Sequence, residues 1–347
     1  MGKVIGIYEI AERASVTTGA VTNWIRRYAD DFPKPVTELQ AGKFYDSDQV
    51  EAWLRKRGKI MGAKVISFIN LKGGVAKTTT TVGTATLLAG EFGKKVLVVD
   101  LDPQTNCTTM LIGEEEWKKL DDEDHTLAAL FEDIINETHN FDMDKTLQKK
   151  VSRIENVSKL DKLDLIPSSL KMIDIQDRLA TIPPGKFFSN NPTEIIKKVI
   201  KPIIDKNKYD YVLIDCPPNM GLITLNGLRI SDAYIIPTIP DVLSTYGIPQ
   251  IINRVSEFSD NIGEDIKCLG IVATKVRGQS SLHYRTLDQL KRSHDAELFD
   301  TVFYENNQMG EAAECVPVTT LRQKWGYQGQ FDRFRNFTCE VMKKMEG

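Results

Sequence analysis

The chain is poor in the residues that build metal centres. In 347 residues it has four histidines and five cysteines, and neither set clusters. Cys107, Cys216, Cys268, Cys315 and Cys339 are odd in number and far apart, so no spacing suits a zinc site or a disulfide framework. They read as reduced thiols in a cytoplasm. Long hydrophobic runs are missing too: none approaches the roughly 18 apolar residues of a membrane helix, and the first residues lack the apolar core of a signal peptide. The expectation is a cytoplasmic chain that meets no membrane. Charge of one sign is not in excess either. With 45 Lys and Arg against 48 Asp and Glu the net charge is −3, so no global field draws the molecule onto DNA or acidic lipid. Nucleic-acid contact has to come from local patches. What remains is an ordinary globular composition, 41% apolar and 27% charged, long enough for one large α/β domain and a small module.

Residues 1–60 differ from the rest. "YEIAERA" (8–14) reads as a short amphipathic helix and "TGAVTNWIRRYADDF" as a second, with Thr17 or Thr18 placed to cap it. Ala20, Val21, Trp24, Ile25 and Tyr28 fall on one face of the second helix; Thr18, Thr22, Asn23, Arg26 and Arg27 fall on the other. "FPKPV" stops it, because proline cannot continue a helix. Residues 36–45 suit a β-hairpin around Gly42. "DSDQVEAWLRKRG" suits a third helix, with Asp46 as cap, Gln49 three residues on and Gly58 after its basic end. Two short helices, a hairpin and a further helix make a winged helix-turn-helix. "VTTGAVTNWIRR" and "FYDSDQVEAWLRKRG" resemble the small excisionase and MerR-like DNA-binding modules. The polar face of the second helix offers hydroxyls, an amide and arginines, the groups that read base edges and hold phosphates. The bland alternative is a three-helix interaction module with a solvated face. Ten Lys and Arg against eight Asp and Glu in this stretch favour DNA only weakly.

From residue 63 strands and helices alternate. Apolar strands are expected at 64–70, 94–102, 161–169, 209–218, 232–238 and 266–274, with room for crossover helices between them, the pattern of a doubly wound, mostly parallel sheet. The domains are therefore 1–60 and 63–347. "NLKGGVAKTTT" (70–80) lies between the first strand and the helix at 77–93, where such sheets bind ligands. Gly73 and Gly74 let backbone amides turn toward an anion, and the helix N-terminus adds its partial positive charge. Lys77 is a mobile cation for β- and γ-phosphates; Thr78 offers a hydroxyl to Mg²⁺. The nucleotide-binding set is Gly73, Gly74, Val75, Ala76, Lys77, Thr78 and Thr79. In "YVLIDCPP" (211–218) a carboxylate after four apolar residues, Asp215, emerges beside this loop to hold the water shell of the metal.

"KGGVAKTT" resembles the deviant Walker A motif of the ParA/MinD family, and "VVDLDPQTN" and "YVLIDCPP" follow in the family's order. The resemblance spans most of residues 63–347. It implies a P-loop ATPase using ATP and Mg²⁺ with weak intrinsic turnover. It further implies that Lys72 crosses a dimer interface to the partner's nucleotide and that Asp102 orients the attacking water. Asp100 would lie nearer the metal and the signature loop, as a further metal carboxylate. The segment after "GIVATK", with Thr274 and Lys275, and the stretch 303–318 correspond to the family's base-contacting regions. An ATP-dependent homodimer would bind DNA nonspecifically, and a ParB-type centromere-binding partner would stimulate hydrolysis. Candidates for DNA contact are Lys275, Arg277, Arg285, Lys291, Arg292, Arg322 and Lys324, with Arg333 and Arg335 beyond them. The expected function is partition on the nucleoid with operator binding by the N-terminal module, whose presence favours plasmid over chromosome partition. The alternatives are a nucleotide-regulated repressor and a MinD-like positioner of membrane or protein cargo. An iron-protein-like reductase shares the fold but would need a cysteine where two subunits could share a cluster. Residues 113–160 are expected to add a helical elaboration. Phe331, Phe334, Phe337, Val341 and Met345 form a stripe at helical spacing, read as packing on the sheet rather than as a membrane tail.

Overall fold

The computed structural model describes residues 4–346 apart from 15, 40–41, 58–61, 152–160, 182–191, 208, 293–294, 307–314, 316–317 and 327–328. It contains two compact units, Met1–Gly62 and Ala63–Gly347.

In the first unit β1 (Val4–Ile5) and α1 (Ile7–Arg13) lead into α2 (Thr18–Arg27). Thr17 is the cap of α2, its hydroxyl accepting the Ala20 amide at 3.2 Å. Val21 is buried; Thr18, Thr22, Asn23, Arg26 and Arg27 are all exposed. β2 (Thr37–Leu39) and β3 (Gly42–Asp46) form the expected antiparallel hairpin, and Gly42 takes the positive φ of 129° that turns it. β1 adds a third strand on the other side of β3; at two residues it is too short to show any periodicity in sequence. The Asp46 carboxylate caps α3 (Ser47–Lys56) by accepting the amides of Asp48 and Gln49, each at 3.0 Å. Gly58 lies outside the described residues. Ile5, Ile10, Val21, Phe32, Tyr45, Val50, Trp53 and Leu54 make a core separate from that of the second unit.

The second unit opens with β4 (Lys64–Phe68), α4 (Lys77–Gly90) and β5 (Val96–Asp100). α5 (Asn106–Ile112), α6 (Glu114–Asp122), α7 (Leu127–Asn136) and α8 (Met143–Thr146) supply the helical elaboration. Then come β6 (Leu163–Ile166), α9 (Met172–Thr181), α10 (Ile195–Asn207), β7 (Tyr211–Asp215), α11 (Leu222–Leu228), β8 (Ala233–Thr238) and α12 (Val242–Ile262). β9 (Lys267–Val276), α13 (Ser281–Arg292), β10 (Leu298–Tyr304), α14 (Leu321–Trp325) and α15 (Gln330–Glu346) complete it.

The sheet has seven strands in the order β10-β9-β8-β4-β7-β5-β6, paired in parallel throughout. β10, not foreseen from sequence, is an edge strand whose residues alternate between buried and less buried instead of forming an apolar run. Strand residues alternate between two cores. Val65, Val99 and Ile214 face one that includes residues of α7 and α9–α12; Ile66, Val98 and Leu213 face another that includes residues of α4–α6, α14 and α15. α4 runs to Gly90, and the chain then reverses through Gly93 at φ 65°. In α15, Phe331, Phe334, Phe337 and Val341 are buried and Met345 packs against the same core, as the stripe implied.

Candidate functional site

β4 sits between β7 and β8, and the chain runs from it to β5, two strands away. This change of direction opens a crevice at the carboxyl ends of the strands, and residues 70–78 fill it. Gly74 (φ 74°) and Ala76 (φ 64°) both lie in the left-handed region. For glycine that conformation is free; for alanine it costs about 1–2 kcal/mol, strain of the kind that collects in ligand-binding loops. Thr105, at the foot of α5, holds another such conformation at φ 56°.

The two lysines of the loop point differently. Lys77 is buried, and its ammonium donates to the Lys72 carbonyl at 3.2 Å, closing the loop on itself. The Lys72 side chain is 40% exposed and its ammonium pairs with Asp241, at the foot of α12. Asn70 braces this corner: its side-chain oxygen accepts the Lys72 amide at 2.9 Å, while its amide group donates to the Pro237 carbonyl at 2.8 Å and to Thr238 Oγ1 at 3.3 Å. From the other side Thr274 Oγ1 donates to the Val75 carbonyl at 2.9 Å.

Thr78 Oγ1 donates to Asp215 Oδ2 at 2.6 Å, and Thr81 Oγ1 reaches Asp215 Oδ1 at 3.3 Å. Asp100 is fully buried. One of its oxygens accepts the Asp102 amide at 3.1 Å and the other accepts the amide and hydroxyl of Thr108 at 2.9 and 2.7 Å. Asp215 is thus the carboxylate that faces Thr78, while Asp100 braces the β5–α5 turn. Asp102 caps that turn by accepting the Gln104 amide at 2.9 Å.

Burial, and then the carboxylates' own interactions, shift these groups. Asp215 is pushed up to about 7, chiefly by burial. Asp100 is raised well above the usual carboxylate value by burial and by the charge of Asp215; Asp102 is raised by burial. Lys77 is lowered by burial, against the pull of Asp215 and Asp102. Three crowded carboxylates beside one ammonium favour an added cation, and the Thr78–Asp215 pair offers hard oxygen donors suited to a divalent one. The glycine loop and the start of α4 favour an anion beside it. Together they suit a polyphosphate with its metal.

Gly73 and Gly74 are exposed in the loop itself. The other candidates lie elsewhere, and Lys275 is exposed with φ 49°. Arg285, Lys291 and Arg292 are exposed on α13. Arg277 pairs with Glu305 at 2.7 Å, Arg322 with Asp332 at 3.0 Å and Arg335 with Glu91 at 3.1 Å; Arg333 donates to the Val302 carbonyl at 3.2 Å. Several of these basic side chains are therefore partly neutralised within the chain. Residues 307–314, 316 and 317 of the stretch at 303–318 lie outside the described residues. Asn70, Thr81 and Asp241 were not foreseen. Asn70 had a signal, the first polar residue after the first strand. Asp241 had none, because 169 residues separate it from Lys72.

Residues 63–268 match a family described as AAA domain. The sporulation initiation inhibitor protein Soj of Bacillus subtilis is 29% identical over 249 residues, 72% of this chain and 87% of Soj. Among solved structures, a cobyrinic acid a,c-diamide synthase from Mycobacterium smegmatis with ADP and magnesium superposes with a TM-score of 0.59 at 21% identity, over 82% of this chain and 96% of that one. A putative plasmid partition protein from Borrelia burgdorferi bound to AMPPNP gives 0.57 at 21% identity, over 81% and 99%. At these identities the two structures speak for the fold alone.

Proposed function

The chain belongs to the AAA-domain family, among the P-loop ATPases of ParA/MinD type, and from that premise we propose that it is a DNA-partition switch in which ATP controls pairing of two copies. The observation that carries this reading is the division of labour between the two loop lysines. Lys77 lies inside the loop, where it neutralises β- and γ-phosphates. Lys72 lies at the mouth, 40% exposed, with its ammonium directed away from its own loop. A cation in that position suits a nucleotide held by another copy. Leu71, Val242, Leu243 and Tyr246 are exposed apolar side chains next in sequence to Lys72 or near Asp241, and they suit a face that becomes covered.

ATP with Mg²⁺ is the ligand. Thr78 would hold the metal and Asp215 its water shell; when bound, the metal neutralises charge on the phosphates. Asp102, at the end of the neighbouring strand, orients the attacking water. With one such carboxylate aligning water, intrinsic turnover is slow and a ParB-type partner raises it. Loss of the γ-phosphate removes the hold on Lys72 and the pair loosens.

The N-terminal unit serves as a winged helix-turn-helix that binds the operator of its own gene. The exposed row Thr18, Thr22, Asn23, Arg26 and Arg27, opposite buried Val21, supports this. Nonspecific DNA contact by the ATPase unit rests first on Lys275, Arg285, Lys291 and Arg292, which are exposed, and then on Arg277, Arg322 and Lys324. The same exposed row on α2 also favours a second reading, a nucleotide-regulated repressor without a partition role. A membrane-positioning role is less well supported, since the C-terminal stripe is packed in the core.

The test is light scattering with a slowly hydrolysed ATP analogue. Lys72→Ala is expected to retain nucleotide binding and to stay monomeric where the wild type doubles its mass. An undiminished dimer mass in this variant overturns the reading. DNA binding with and without ATP, on random DNA and on the gene's upstream region, separates partition from simple repression: ATP-dependent binding to random DNA is expected only of the partition switch.

A further inference from the structure

Three contacts tie the signature loop to the end of β8. Asn70 joins the Lys72 amide to Pro237 and Thr238, and the Lys72 ammonium reaches Asp241 three residues farther on. Asn70 therefore fixes where the Lys72 backbone sits, and Asp241 fixes where its ammonium points. The Asp241 side chain is 26% exposed and that of Lys72 40%, so the pair stands in partial contact with water at the rim of the loop. An ion pair in this setting is weak enough to exchange, and a polyphosphate carries more negative charge than a carboxylate.

On the reading that Lys72 acts on the nucleotide of a second copy, we infer that Asp241 is a positioning residue for Lys72: it holds the ammonium within its own subunit and competes with the partner's nucleotide for it. Every pairing event has to break the Lys72–Asp241 contact. Asp241 thereby sets the ATP level at which two copies join, and it keeps unpaired subunits from associating through Lys72 when no triphosphate is present. Lys77, whose ammonium is turned to the Lys72 carbonyl inside the loop, is outside this competition.

The test titrates wild type, Asp241→Asn, Asp241→Glu, Lys72→Ala and the double variant Lys72→Ala/Asp241→Asn with a slowly hydrolysed ATP analogue. Mass is read by light scattering, binding by a fluorescent analogue, and folding by thermal melting. Asp241→Asn is expected to pair at an analogue concentration about five-fold lower than wild type, the scale of one partly exposed ion pair. Asp241→Glu, which restores the charge, is expected to return the midpoint toward wild type. Both variants carrying Lys72→Ala are expected to remain monomeric. A midpoint for Asp241→Asn that is unchanged or higher overturns the inference, as does pairing by the double variant. A wild type that binds the analogue but never pairs overturns instead the reading on which the inference rests.

Discussion

At the residue scale the loop carries its own strain. Ala76 occupies a left-handed conformation at φ 64° that glycine would adopt freely. Replacing it with glycine removes about 1–2 kcal/mol of strain and returns part of that through the looser unfolded chain, so a net gain of about 0.5–1 kcal/mol is expected. In thermal unfolding Ala76→Gly should melt about 2 °C above wild type; a lower melting temperature would contradict the strain argument. Lys77 differs from Lys72 in being buried beside Asp215 and Asp102, which favour its charged form although burial lowers its pKa. Lys77→Ala deletes a charged donor from a desolvated site. Nucleotide affinity is expected to fall by about 10- to 100-fold, measured by fluorescence titration. The sequence pointed to both lysines and both glycines because loop, strand and helix are contiguous there. It did not point to Asp241, and it gave Asp215 to the metal with Asp100 as a further metal carboxylate, whereas Asp100 braces the β5–α5 turn. Which carboxylate faces Thr78 depends on the register Asp100↔Asp215 between neighbouring strands and on the turn that follows each.

At the element scale both edges of the sheet are met by segments outside the strands. On β6, Gln148 exchanges backbone hydrogen bonds with Leu165 at 2.9 and 2.8 Å, so the helical insertion returns to cover the edge. On β10 the carboxylate of Glu340 in α15 accepts the amides of Asp300 and Thr301 at 2.8 and 3.0 Å. Unpaired edge amides are templates for aggregation. Glu340→Ala is expected to cost about 1–3 kcal/mol in urea unfolding and to raise self-association on storage. α15 also seats Phe334 on α4, where a Cβ on Gly83 would lie 2.2 Å from the ring. Gly83→Val is therefore expected to displace the last helix, read as lost thermal stability and faster proteolysis at the C-terminus. A third tie joins α10, the end of α11 and the segment after α12: Arg229 bridges Glu194 at 2.9 Å and Glu264 at 2.6 Å, and Lys197 meets Glu264 at 3.0 Å. Burial pulls Glu264 upward, but the hydrogen bond from Lys197 and the charge of Arg229 outweigh it and leave Glu264 below its usual value of 4.5. A lowered carboxylate contributes stability above the unfolded pKa and loses it as pH falls through the folded one. Wild type should thus exceed Glu264→Gln in stability at neutral pH, with the gap closing below about pH 4.5 in acid titration.

At the scale of the whole molecule, the two units have separate cores. With a net charge of −3, the proposed DNA binding would depend on the local basic surface and not on a global field. Arg26→Ala and Arg27→Ala are expected to weaken binding to the upstream region and to spare basal ATPase activity, since both lie in the unit Met1–Gly62. On the proposed partition role, ATP-dependent binding to random DNA should weaken steeply with salt, as binding through phosphate contacts does. Liposome sedimentation with ATP is expected to leave the protein in solution, as Phe334 and Phe337 are fully buried.

The sequence by itself determined the division near residue 60, the parallel sheet, the phosphate loop and the packing of the last helix. Each is written in contiguous residues: an apolar run, a glycine pair before a helix, a stripe at helical spacing. Tertiary structure alone decided what faces what across the crevice. Asp241 meets Lys72, Asn70 reaches the end of β8, Thr274 holds Val75 and Glu340 seals β10. These contacts join segments whose approach is fixed by strand order and helix packing, and no local pattern encodes a partner that only the folded sheet brings within reach.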